Sequence, residues 1–139
     1  MSTVPQETIE TAMTRVRWIQ DGGKEILFVD LRQATSPESL SALEAFIREM
    51  QSRPENSVLV LTDVTGCAYD SSVSTRWKNE GLARARFIRG SAIFGISGMV
   101  GLALRGFVEV LRIMGLGRIG DKQKFFKTRA DALAWLQQR

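Results

Sequence analysis

Histidine is absent from this chain, and cysteine occurs once, as Cys67. The first absence removes the commonest general base, the commonest metal ligand and the usual activator of a serine or cysteine nucleophile. The second excludes an intrachain disulfide and a multi-cysteine metal centre, and it suits a reducing compartment. A long uninterrupted hydrophobic run is also missing. The greasiest stretch, residues 91–117, is broken by Arg105, Glu109, Arg112 and several glycines, which falls short of a membrane span. The opening residues, "MSTVPQETIETAMTRVRW", are polar and partly acidic, the pattern of neither a signal peptide nor a transit peptide. The expected location is the cytoplasm.

What the chain does have is enough apolar material for an ordinary core: 139 residues with 44% hydrophobic content fit one domain. No repeat, low-complexity tract or linker divides it, so residues 1–139 are expected to form a single domain, with 1–11 as a flexible arm. Charge is distributed unevenly. Residues 1–75 hold 6 Lys+Arg against 11 Asp+Glu, net −5, and residues 76–139 hold 13 against 4, net +9. A basic half favours anionic partners through sequence-independent electrostatics, or simply forms a solvated surface.

Periodicity predicts nine elements. Residues 11–20 alternate as a strand with Met13, Val16 and Trp18 as apolar members, and Asp21-Gly22-Gly23 signals a tight turn into a second strand, "KEILFVDL". Its continuous apolar run from Ile26 to Val29 implies burial on both faces. A helix follows, capped by Thr35 or Ser36, with Pro37 and Glu38 in its first turn and Leu40, Leu43, Phe46, Ile47 and Met50 on one face. The third strand spans residues 57–64 and should be central. Further on, a helix over 71–87 buries Val73 and Trp77, and a strand runs over 91–97. A helix over 99–114, a short strand over 122–127 and a final helix complete the order. Thr128 and Asp131 cap that last helix, and Ala130, Leu133, Ala134 and Leu136 are its expected buried face. The β-β-α-β-α-β-α-β-α order implies an α/β fold, a mostly parallel five-stranded sheet with an antiparallel first strand.

Open α/β sheets bind ligands at the carboxyl ends of their strands. Three segments meet there: the loop with Asp30 and Arg32, the loop from Asp63 to Ser72, and the glycine turn from Gly95 to Gly101. That turn has the spacing G-x-x-G-x-x-G, neither a dinucleotide fingerprint nor a phosphate-binding loop with its lysine. Gly98, Gly101 and Ala103 are expected to let a helix approach the sheet, with an anion on the helix-start N–H groups as the alternative. In the helix expected over 99–114, the charged residues Arg105, Glu109 and Arg112 form one narrow stripe. The remaining arc is apolar and wider than a sheet face requires, so Leu104, Phe107, Val108 and Leu111 form a candidate surface for a partner, a second copy or an apolar ligand. Cys67 lacks a histidine to activate it. Asp30, Asp63 and Asp70 read as capping groups, with a magnesium or proton-transfer cluster as the alternative. The run Arg84, Arg86, Arg89 has few interleaved aromatics, so nucleic acid is not an expected partner.

The strand ending "LTDVTG", the "DSS" opening the next helix, the strand "SAIFGIS" and the late "FFKTRADALAWL" together resemble the STAS-related, SpoIIAA-like superfamily, in particular its small bacterial STAS/SEC14-like domains. The resemblance covers about residues 24–136. In the anti-sigma-factor antagonists of that superfamily a serine in D-S-S-G is phosphorylated. Asp70, Ser71 and Ser72 match the first three positions here, and Val73 stands in place of the glycine. The resemblance implies a non-enzymatic binding or regulatory domain without cofactor or metal, engaging a protein partner or a small apolar or amphipathic ligand. A ligand or phosphate position would then draw on Asp63, Thr65, Gly66, Asp70, Ser71, Ser72 and Gly98. The alternatives are lipid binding or attachment to an anionic membrane surface, a homodimer through the 99–114 helix, and an enzyme using Cys67 or the loop aspartates.

Overall fold

A computed structural model of the chain describes residues 15–68, 71–95 and 122–139. Two strands open it, β1 (Val16–Asp21) and β2 (Lys24–Asp30), paired antiparallel from Val16↔Val29 to Asp21↔Lys24. Gly22 and Gly23 join them with φ of 56° and 81°; both central residues of this turn need the left-handed region that glycine enters without strain. The helix α1 (Ser36–Gln51) follows, then β3 (Val58–Asp63), the helix α2 (Ser71–Ala83), a 3-10 turn over Ala85–Phe87, and β4 (Ile88–Phe94). The strand β5 (Gln123–Phe126) and the helix α3 (Arg129–Gln137) end the described chain.

The sheet order is β1-β2-β3-β4-β5, and every pair after the first is parallel. This is the expected α/β architecture with its antiparallel first strand. Alternation in β2 and β3 divides the core into two layers. Leu27, Val29, Val58 and Val60 pack against Leu43, Phe46 and Met50 of α1, with Trp77 of α2 beside them. Ile26, Phe28, Leu59 and Leu61 point the other way, and Ala132 and Leu136 of α3 cover them together with Ala92 and Phe94. All six residues of β3 are buried, as its central place requires.

Thr35 caps α1 through a reciprocal box. Its Oγ1 accepts from Glu38 N at 3.3 Å, and its own N–H donates to Glu38 Oε1 at 2.9 Å. Of the expected α1 face, Leu43, Phe46 and Met50 are buried, while Leu40 and Ile47 are half-buried. Ser39, Ala42 and Ala45 join the buried side, because the helix is held between the sheet and α2.

Several boundaries differ from expectation. The first strand starts at Val16 rather than residue 11, and Met13 lies outside the described residues. The second helix stops at Ala83: Arg84 N donates to Glu80 O and Gly81 O, and the 3-10 turn then aligns the chain beside β3, where Asn56 N and Ser57 N donate to Arg86 O and Phe87 O. That alignment starts β4 at Ile88, three residues before the expected position. The strand also ends early, at Phe94, because Gly95 has φ of 89° and leaves the extended region. In α3 the buried stripe is Ala132 and Leu136 with Leu133 half-buried, while Ala130 and Ala134 are exposed. Residues two apart on a helix point roughly 200° apart, so the two outer alanines face away once Ala132 meets the sheet. The helix expected over 99–114 lies outside the described residues.

Candidate functional site

At the carboxyl ends of the parallel strands, two loops are sewn together by backbone bonds. Leu31 N donates to Asp63 O, Gln33 N to Thr65 O, Ala68 N to Ala34 O, and Val64 N to Phe94 O. Asp63, only 6% exposed, accepts from Thr65 N at 3.0 Å and from Thr65 Oγ1 at 2.6 Å, both on Oδ1. Asp30 receives three bonds from Arg32: Nε at 3.0 Å, Nη2 at 2.8 Å and the backbone N–H at 3.1 Å. The Arg32 side-chain bonds hold the Asp30 carboxyl below its usual range against a partial desolvation penalty. Arg32 Nε also lies 3.8 Å from Asp63 Oδ2, so one guanidinium ties both strand ends.

Gly95 completes this end. A Cβ placed on it would lie well inside contact of Thr65 Oγ1, 2.9 Å from Thr65 N and 3.0 Å from Asp63 Oδ1. The first glycine of the G-x-x-G-x-x-G turn is therefore required by a neighbouring loop as well as by its own φ. Gly98, Gly101 and Ala103 lie outside the described residues, as do Asp70 and the candidate surface of Leu104, Phe107, Val108 and Leu111.

Among the predicted site residues, Asp63, Thr65 and Gly66 are brought together with Asp30, Arg32 and Gly95. Ser71 and Ser72 stand exposed at the start of α2. The described acids at this end are occupied in closing loops. Among the described residues, no group of three or more histidine, cysteine or acidic side chains is placed to hold a metal ion. Burial pushes the Cys67 thiol up from its ordinary value, the opposite of what a nucleophile needs.

An apolar concavity suited to binding was not read from the sequence. A cavity of about 310 Å³ lies between the sheet face formed by β3, β4 and β5 and the helices α1 and α2. Its floor is Val60 and Thr62 of β3 with Val64 just after it, Ser91 and Ile93 of β4, and Gln123 and Phe125 of β5. Phe46 of α1 and Val73, Trp77, Gly81 and Leu82 of α2 form walls, with Cys67 near the loop end. Phe46 and Trp77 pack ring against ring, their centroids 5.8 Å apart. Trp77 Nε1 donates to Ser39 Oγ at 3.0 Å, which fixes the indole and satisfies a hydroxyl only 1% exposed. The signal that could have pointed here is Thr62 and Ser91, two hydroxyls on the cavity-facing side of the central strands.

No protein-family model matches the chain, and no curated protein matches it. Among the described residues, no helix is long and apolar enough to cross a membrane. The functional reading therefore rests on the geometry of this chain itself.

Proposed function

We propose that the chain is a STAS/SpoIIAA-like domain that binds a small, largely apolar ligand in the cavity between α1, α2 and the sheet, and performs no chemistry of its own on it. The cavity carries this reading. Its volume is at the small end of the roughly 300–1,000 Å³ typical of ligand sites, and it has the usual makeup of apolar walls with a few placed polar groups. The sequential sheet with an antiparallel first strand supports the superfamily part of the proposal. The loop carboxylates are engaged in structural bonds and the thiol is pushed toward its protonated form, so the cavity offers contact rather than an activated group.

Native mass spectrometry of gently purified protein, repeated after denaturation and organic extraction, tests the proposal. A bound mass that is released on denaturation, and that is missing from a folded Ile93→Phe variant whose larger ring occupies the floor, is the expected result. An empty wild-type protein that also fails to take up an apolar dye such as Nile red would overturn it.

A further inference from the structure

Along β4 and β5 the cavity floor is polar at one end and apolar at the other, and the sheet register sets that polarity. Ser91 pairs with Gln123 across β4 and β5, which puts the hydroxyl and the amide side by side on the floor, and Lys122 immediately precedes them. One pleat further along, Ile93 pairs with Phe125, and beyond them the walls are Phe46 and Trp77. On β4 and β5 the floor therefore changes from donors to hydrocarbon within two residues, while on β3 Val60 lies beside Ser91 and Thr62 beside Ile93.

The sign of charge at the polar end follows from the lining. Among the described residues around the cavity, Lys78 and Lys122 are cationic and none is acidic. Lys122 Nζ makes one long bond, 3.5 Å to Ala85 O, and no described carboxylate pairs with it. An ammonium has three donors, so Lys122 retains capacity toward a ligand. Ser91 is 6% exposed and its hydroxyl lines the same end. A serine hydroxyl carries one donor, so Ser91 can donate to an acceptor inside the cavity.

From this arrangement we infer the ligand class: a small organic acid whose carboxylate lies against Lys122, Gln123 and Ser91 while its hydrocarbon body extends toward Phe46 and Trp77. A carboxylate accepts from all three donors, whereas an alcohol forms no charge-assisted bond with Lys122 and an ammonium meets like charge. The inference rests on the cavity-binding reading above and adds the head group and its direction.

Three probes with the same hydrocarbon chain separate the two claims: decanoate, decanol and decylamine. Affinity is measured by calorimetry, and occupancy of the cavity is read independently from the rate of Cys67 alkylation, since Cys67 lines it and is the only cysteine in the chain. Decanoate is expected to bind about tenfold or more tighter than decanol, decylamine weakest, and both stronger probes should slow alkylation. In Lys122→Gln, decanoate should fall to the level of decanol while decanol is unchanged, with the urea midpoint as a check on folding. Should that variant fail to fold, Gln123→Leu serves in its place, with the same selective loss of decanoate expected. If decanoate and decanol bind equally and both protect Cys67, the head-group inference is overturned and cavity binding stands. If decanoate is preferred but the substitution leaves the preference intact, the placement of the head is wrong. If none of the probes protects Cys67, both claims fall.

Discussion

Replacing Gly95 by alanine should destabilise the protein more than replacing Gly23, although both glycines have positive φ. At Gly23, φ is 81° and a Cβ would meet nothing within 4 Å, so Gly23→Ala incurs only backbone strain, about 1 kcal/mol. At Gly95, φ is 89° and the new methyl would overlap Thr65 Oγ1 and crowd Thr65 N and Asp63 Oδ1. Thr65 must move, and the two bonds it donates to buried Asp63 weaken together. Hydrogen bonds to a charged acceptor contribute about 1.5–3 kcal/mol each when intact. Partial loss of the pair added to the strain gives about 3 kcal/mol for Gly95→Ala. In a chain of this size that corresponds to a fall in Tm of about 12 °C, against about 4 °C for Gly23→Ala. Urea unfolding followed by circular dichroism measures both. If the two variants lose the same stability within about 0.5 kcal/mol, the close packing of Gly95 against the Asp63 loop is not what makes glycine necessary there.

Three further outcomes follow from the described contacts. Thr35→Ala should cost about 1 kcal/mol by removing the Oγ1 half of the α1 cap, and Thr35→Ser much less; equal losses in urea unfolding would count against the cap. Asp30 has a lowered folded value, so its ionised form stabilises above the unfolded aspartate value of about pH 4, and this contribution is lost as pH falls through the folded value. The stability gap between wild type and Arg32→Gln should therefore be constant from neutral pH down to about 5 and narrow below about 4; a gap that widens in acid would refute the sign. Alkylation of Cys67 should be slower than that of free cysteine at mildly alkaline pH, with its rate profile displaced to higher pH, because burial disfavours the thiolate. A profile displaced to lower pH would indicate an activating group near the thiol.

The parts of the fold that were legible in the sequence are those whose chemistry is local. Gly22 and Gly23 announce the hairpin, Thr35, Pro37 and Glu38 announce α1, and the unbroken Ile26–Val29 run announces a strand covered on both sides. The start of β4 was not legible because Ile88, Arg89 and Gly90 show no alternation; their place is set by backbone bonds from Asn56 and Ser57 to the preceding turn. The α3 face was ambiguous because alanine suits either side of a helix, and only the contact of Ala132 with the sheet chooses between them. At the candidate site, Asp63 and Thr65 could be named from their loop, but the need for Gly95 depends on a neighbour thirty residues away in sequence. The cavity was hidden for the same reason. Phe46, Trp77, Ile93 and Phe125 belong to four elements and read individually as core residues, and only the assembled sheet makes them walls around a space.

The sequential order of the sheet has a consequence for how the chain is assembled during synthesis. Each strand takes its place beside the one made just before it, so none has to be inserted between partners already joined. The exception is α3, which crosses the opposite side and is tied to the first hairpin, where Gln137 Nε2 donates to Asp21 O at 2.6 Å and to Asp21 Oδ2 at 2.7 Å. Until that last helix arrives, Ile26, Phe28, Leu59 and Leu61 lack the cover that Ala132 and Leu136 provide. A nascent chain stalled before residue 129 would thus carry a nearly complete sheet with one sticky side, and its hazard would be aggregation rather than failure to fold.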